Sequence, residues 1–548
     1  MKKNIYILFI LMGSIFIHTS CTKKEGEKKI TNAIHVNFLQ DPSTFDPRKG
    51  SDYISSTLHF LLFEGLVRMT PESISAPGIA EKIEISSDKM KYTFHLRDAK
   101  WSNGTPITAY DFSRSWLDML DPLFPSPNAH LLFPIKNAEK AKKGLVSLKE
   151  VGINAVNYNT LEVYLETPIP YFEELISFCV FSPICQNHAQ ENPDWVEAEG
   201  RDFVCNGPYR IAKRKIGQEI ILEKNPFYWD AASVDLEQIS ISIIDNEMTA
   251  LNMFENNQLD IIGLPFTGIP SDSIPELRDK GLIKTTEVPA STICCFNLDK
   301  FPFSNKNIRK AFAYAINRQE IVDNITQTGE KPGMKLLPDA LHESQPDPFF
   351  KDGDIETARS YLKKGLEELE ISIDDLPKLT LLHASTGIYP KVAQAIQEQW
   401  RKALGIRVQL LGYEYKVFLD KLAKKDFCIS QCVWVAQYFD PMNILDRFRI
   451  KENEKNYPGF YDPEYKKIVD NSIYHSQKKD RFSVLNKALD IINEEVPLTA
   501  IYHWNSPYMK KNYIQGLDQR PSGFFHLPSV KIKADKIPAD RPSQTAVR

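Results

Sequence analysis

The hydrophobic period of this chain changes along its length, and that change restricts what it can fold into. In residues 30–110 apolar and polar positions alternate, as in Ile34-His35-Val36-Asn37-Phe38 and Lys91-Tyr92-Thr93-Phe94-His95-Leu96-Arg97. A period of two sends successive side chains to opposite faces of a sheet. Clusters of turn residues interrupt these runs at 41–47, 86–88 and 101–106. Thr108, followed three residues later by Asp111, reads as the N-cap of a helix. Residues 160–165, 220–225 and 239–243 read as strands, 249–257 as a short helix. From residue 296 the texture differs. Residues 308–317 and 392–404 are amphipathic at helical spacing, and the second run leads into a strand at 406–411. Strand, helix and strand in succession favour an α/β lobe. At 548 residues the chain exceeds one ordinary domain, so roughly two or three are expected.

The N-terminus reads as a targeting segment. Met1-Lys2-Lys3 is basic, residues 5–17 are an apolar run too short to span a bilayer comfortably, and His18-Thr19-Ser20-Cys21 follows. Small residues before a single Cys look like a bacterial lipobox, which makes Cys21 the lipidation site. Plain secretory cleavage near the same point is the alternative. Residues 22–33 are polar and charged, as a flexible tether would be. A net charge of −4 leaves no basic excess for phosphates and argues against a nucleic-acid partner.

Beyond Cys21 the cysteines are Cys179, Cys185, Cys205, Cys294, Cys295, Cys428 and Cys432, with no metal-site spacing among them. The 11 histidines are scattered. No Gly-x-Ser-x-Gly, His-Glu-x-x-His or phosphate loop is present, so the chain reads as a binder rather than an enzyme, with no metal and no cofactor.

Several blocks, in order and spacing, carry a resemblance. They are Leu62-Phe63-Glu64-Gly65-Leu66-Val67-Arg68, residues 92–109 with Trp101 and Gly104, Asn206-Gly207-Pro208-Tyr209-Arg210, residues 222–229 ending in Tyr228-Trp229, and residues 301–318 with Arg309. By their chemistry Trp101 and Gly104 are turn and core-edge residues, Tyr228-Trp229 is structural, and Arg309 is a partner for a carboxylate or carbonyls. Together the blocks resemble the extracellular solute-binding proteins of family 5, and within them the oligopeptide binders of ABC importers. The resemblance implies an α/β, two-lobed periplasmic-binding-protein fold, class II-like, with an extra N-terminal subdomain and a ligand cleft between the lobes. Lobe I is expected at 34–63, 183–290 and 500–548, the extra subdomain at 64–182 and lobe II at 291–499. It also implies an oligopeptide ligand, ABC permease subunits in the inner membrane as partners, and a monomer held on the periplasmic side of the membrane. A nickel or haem receptor on the same fold, and an exported hydrolase, are the alternatives.

Carried over residue by residue, the resemblance makes Trp434 a cleft tryptophan. Val433 and Val435 become main-chain partners of the peptide, as in strand addition. Asp52 and Tyr53 form a second backbone strip, and Asn206 and Gly207 a loop near the cleft. Gln437 stands where the family has an aspartate that pairs with the peptide's α-ammonium. Gln431 stands in place of an arginine and Tyr389 in place of a histidine. Tyr438 completes the stretch, and Asp440 is the candidate substitute for the missing anion, or else the cap of a turn before Pro441. These neutral replacements suggest a peptide with atypical ends, such as a peptidoglycan-derived one. The family's disulfide positions fall at Ser291 and Val435. Cys294 and Cys432 are displaced from them by three residues in opposite directions, which an antiparallel pairing of the two segments would preserve as a close pair.

Overall fold

The structure, a computed structural model, describes residues 32–548 apart from 71–73, 343, 349, 476, 518–526, 539–540 and 542–548. The signal segment, Cys21 and nearly all of the expected tether lie outside the described residues.

The chain enters through β1 (Ala33–Phe38), buried at almost every position, and then α1 (Tyr53–Leu62). A four-stranded antiparallel sheet follows, built from β2 (Ala80–Ile85), β3 (Lys91–Leu96), β4 (Ile153–Asn157) and β5 (Thr160–Tyr164) in the order β2-β3-β5-β4. The turn between β2 and β3 is made by the residues that predicted it. Ser86 Oγ accepts from Lys91 N at 2.9 Å, Asp88 Oδ1 accepts from Met90 N at 3.0 Å, and Lys89 takes φ 58°. Helix α2 (Ala109–Leu120) covers this sheet. Thr108 caps it and donates its backbone N–H to Asp111 at 2.8 Å.

β6 (Tyr209–Lys215), β7 (Glu219–Lys224) and β8 (Gln238–Ile243) return to the first lobe and complete the sheet β1-β8-β7-β6. β9 (Ile261–Gly263) and β10 (Lys284–Phe296) then lead into the second lobe. That lobe contains α3 (Lys306–Tyr314), β11 (Lys331–Pro332), β12 (Leu379–Ala384), α4 (Tyr389–Leu404), β13 (Val408–Tyr413), β14 (Ile429–Val435), α5 (Lys478–Glu495) and β15 (Leu498–Lys510). The sheet runs β9-β15-β10-β14-β12-β13, with β11 on the side of β15. Arg309 on α3 donates to the carbonyls of Phe303, Ser304, Glu495 and Val496 at 2.6–3.2 Å, the carbonyl role that its position suggested.

β10 and β15 are 13 residues each, about 40 Å at a strand's rise per residue. They carry the chain between the lobes, and their pairing breaks register between Glu287 and Ser291. The expected lobe limits at 290/291 and 499/500 fall within these two strands. One apolar cluster joins Phe94, Phe112 and Trp116 around the β2–β5 sheet to Trp434, Phe448 and Leu489 of the second lobe.

Candidate functional site

β14 has one finished edge and one unfinished edge. It pairs with β10 along its whole length, Ile429 to Val435 against Phe296 to Ala290, but with β12 only at Ile429 and Ser430. Among the described residues no strand covers the other edge of 431–435. Unpaired strand edges are templates for an added extended chain, since every second residue turns its N–H and C=O outward. Val433 is half-buried and Val435 is 43% exposed on this stretch. Trp434 alternates to the opposite face, where it packs 5.5 Å from Phe448.

The side chains expected to contact ligand are mostly committed elsewhere. Asp52 caps α1: Oδ1 accepts from Ser55 N at 2.8 Å and Oδ2 from Ser55 Oγ at 2.6 Å and from Ser43 Oγ. Burial works against its ionisation, but those hydrogen bonds outweigh it and hold the carboxyl below the usual range. Tyr53 is the first residue of α1, its phenol pushed up by burial. Asn206 grips the backbone of Glu64 from both ends, accepting from its N–H at 3.0 Å and donating to its C=O at 2.8 Å. At Gly207 a Cβ would lie 2.5 Å from the carbonyl carbon of Leu62. Asn206 and Gly207 therefore brace the end of α1 rather than present side chains to a ligand. Tyr389 opens α4, half-buried against the apolar cluster, and burial raises its phenol too. Gln431 is fully buried, with neither amide atom hydrogen-bonded among the described residues.

Gln437 donates from Nε2 to Asn128 Oδ1 at 3.1 Å, and Asn128 donates to Gly50 O at 2.7 Å. A neutral amide thus ties the segment after β14 to residue 128, and through it to the backbone just before α1. Beside it Tyr438 stacks on Tyr171 of the subdomain at 5.3 Å and an interplanar angle of 6°. Asp440 is not free for an ammonium. Arg481 on α5 clamps its two oxygens at 2.5 and 2.6 Å, and Oδ1 also accepts from Met442 N at 2.9 Å. Asp440 caps the turn at Met442, and both of its oxygens are engaged by Arg481 inside the lobe.

The expected Cys294–Cys432 pair is corrected by one register step. Ser291 lies opposite Trp434, so Cys294 meets Gln431, and Cys432 meets Ile293. Cys294 faces the core under α3 and α4, whereas Cys432 faces the other core, with its Sγ 3.5 Å from that of Cys295. The described cysteines are free thiols.

Further residues complete the site. A pocket of about 960 Å³, open mouth included, lies between the lobes, lined by Phe60, Arg68, Phe178, Gln437 and Phe439 among others. Glu64 also lines it. Its carboxylate, raised by burial, accepts from Trp229 Nε1 at 2.8 Å and from the Tyr228 hydroxyl. The block residues Glu64, Tyr228 and Trp229 could have suggested this cluster. Asn128 and Tyr171 could not have been found without the fold.

Residues 75–456 match the family described as bacterial extracellular solute-binding proteins, family 5 Middle. The chain is 36% identical over 545 residues to the oligopeptide-binding protein OppA of Bacillus subtilis (strain 168), covering 97% of this chain and 100% of that protein. It is 28% identical over 519 residues to the periplasmic murein peptide-binding protein MppA of Escherichia coli (strain K12), covering 92% and 94% respectively. The crystal structure of Haemophilus influenzae OppA in complex with RPPGFSPFR is similar with a TM-score of 0.79 and 27% identity, over 91% of this chain and 99% of that one.

Proposed function

Since this chain belongs to the bacterial extracellular solute-binding proteins of family 5, we propose that it captures oligopeptides between its two lobes and delivers them to an ABC transporter permease. The observation that carries this reading is the uncovered edge of residues 431–435, which offers an extended peptide the backbone partners of a missing strand. Such pairing is indifferent to side chains, which suits a receptor for varied peptides. The lobes are assigned as 34–63, 183–290 and 500–548 for the first, 64–182 for the subdomain and 291–499 for the second. The register break in β10 and β15 supports a hinge there. Cys21 serves as the lipid anchor that holds the body at the membrane.

A preference for peptides with atypical amino ends is supported by one fact: neither Gln437 nor Asp440 leaves a carboxylate free for an α-ammonium. Mass spectrometry of ligands that co-purify tests the main reading. Bound peptides of mixed sequence are expected, and a non-peptide ligand at full occupancy refutes it. Calorimetric titration with matched free and N-acetylated peptides tests the second, which strong preference for the free amine would overturn.

A further inference from the structure

The uncovered strand edge at 431–435 runs out into the pocket of about 960 Å³, open mouth included. Ala436, Gln437 and Phe439, which follow β14 directly, line that pocket. A chain paired along the edge is therefore led into it at the Gln437 end. One side of the wall is apolar, formed by Phe60, Val67, Met69, Phe178 and Phe439. Phe60 and Phe178 meet edge to face with ring centres 6.2 Å apart, and both of them and Phe439 are only half-buried. Apolar surface that lines a concave site in this way gains by being covered.

The charged groups of the wall are already engaged. Glu64, the sole acid lining the pocket among the described residues, accepts from Trp229 Nε1 at 2.8 Å and from the Tyr228 hydroxyl. Arg68 pairs with Asp230 at 3.0 Å and lies over the Trp229 ring. Ser177 Oγ donates to Glu174 O at 2.7 Å. A cation entering here meets the Arg68 guanidinium and no uncommitted carboxylate, and a sugar would bury hydroxyls against phenyl rings. The space also far exceeds that of an ammonium, which is about the size of a water, about 30 Å³. Gln437 supplies the one suitable polar contact. Its Nε2 donates to Asn128 Oδ1 at 3.1 Å, which leaves Oε1 on the pocket wall as an acceptor. A neutral amide oxygen suits a single neutral N–H.

We propose that this pocket houses an apolar acyl chain carried on the amino end of the bound peptide, with Gln437 Oε1 accepting the N–H of the amide that joins chain and peptide. This rests on the reading of the 431–435 edge as a peptide site whose amino end lies at Gln437. It names the substrate class as N-acylated peptides: acylation removes the charge that the pocket cannot balance, keeps one N–H for Gln437, and supplies the methylenes that cover Phe60, Phe178 and Phe439.

The test uses the purified full chain and calorimetric titration with tetra-alanine bearing a free amine or an acetyl, butanoyl or hexanoyl group, and with free-amine peptides in which Phe or Leu replaces the first Ala. From acetyl to hexanoyl, each added methylene is expected to tighten binding about three- to fourfold. Phe178→Ser and Phe439→Ser are each expected to cut that gain to less than about twofold per methylene. Equal affinity along the acyl series, or a gain untouched in both variants, overturns the pocket while leaving the peptide reading intact. A gain for first-residue Phe or Leu that matches the acyl gain assigns the pocket to a side chain and also overturns the proposal. If no peptide binds, the peptide reading and the acyl pocket fall together. A second measurement needs no variant: the hexanoyl group is replaced by an acyl chain carrying a terminal diazirine, and the photo-adducts on the wild type are located by mass spectrometry. Adducts within 60–69, 177–179 or 436–439 are expected, and adducts confined to other segments refute the placement. Where a variant fails to fold, the labelling decides.

Discussion

Replacing Gln437 with aspartate should convert an indifferent amino-end site into one that selects a free amine. Gln437 makes a single neutral hydrogen bond, to Asn128 Oδ1 at 3.1 Å. The Asn128 amide N–H₂ already serves Gly50 O at 2.7 Å, so it is poorly placed to turn towards a new carboxylate. The substitution therefore removes one interlobe bond, about 1 kcal/mol against closure for any ligand. A peptide with a free α-ammonium regains a charge-assisted bond to the new carboxylate, about 1.5–3 kcal/mol. Its net change is a gain of about 0.5–2 kcal/mol, while an N-acetylated peptide only loses about 1 kcal/mol. The ratio of free to acetylated affinities should rise by about 10- to 150-fold. Calorimetric titration of one peptide pair against the wild type and Gln437→Asp measures it directly. An unchanged ratio would mean that residue 437 does not face the peptide's amino end, and the placement of the ligand along β14 would be refuted with it.

Asp440→Asn leaves the Arg481 guanidinium buried without its counter-charge, and a loss of about 3–5 kcal/mol is expected. It should appear as a lower unfolding temperature with unchanged preference between free and acetylated peptides; a lost amine preference would restore Asp440 as an anchor. Oxidation of the native protein with diamide should consume two thiols in the wild type and in Cys294→Ser, but none in Cys295→Ser, because only Cys295 approaches Cys432. Acid should destabilise the fold through His59 and His503, each lowered by burial to about 4 despite carboxylates nearby, Asp46 and Asp52 for His59 and Asp339 for His503. Their folded pKa lies below the unfolded value, so the unfolded chain binds more protons between the two. Stability is fully present above about pH 6.5 and is lost as pH falls towards about 4. His59→Gln should flatten the dependence of unfolding free energy on pH by up to about 3 kcal/mol across that window, and an unchanged slope would refute the assignment.

Local features of this fold were legible because neighbours in sequence create them. The turn at 86–90, the cap at Thr108 and the amphipathic run that became α4 depend on residues within a turn or two of one another. Buried Trp101, Gly104 at φ 87°, the carbonyl-bound Arg309 and the capping Asp440 also kept the structural roles that their chemistry suggested. The site was less legible because its chemistry depends on what distant segments bring to each side chain. Asp440 and Arg481 are 41 positions apart, and Gln437 and Asn128 are 309 apart. A one-residue offset between β10 and β14 exchanged Cys294 for Cys295 beside Cys432, since each step in a strand turns a side chain to the other face.

By itself the sequence determined the mixture of strands and helices, the family resemblance and the absence of formal charge at residues 431, 389 and 437. Those follow from residue identity and local spacing. Tertiary structure alone decided that both oxygens of Asp440 are engaged by Arg481, and that Asn206 and Gly207 brace α1. A charge is an anchor or a strut according to which opposite charge reaches it first, and only the packed fold sets that distance.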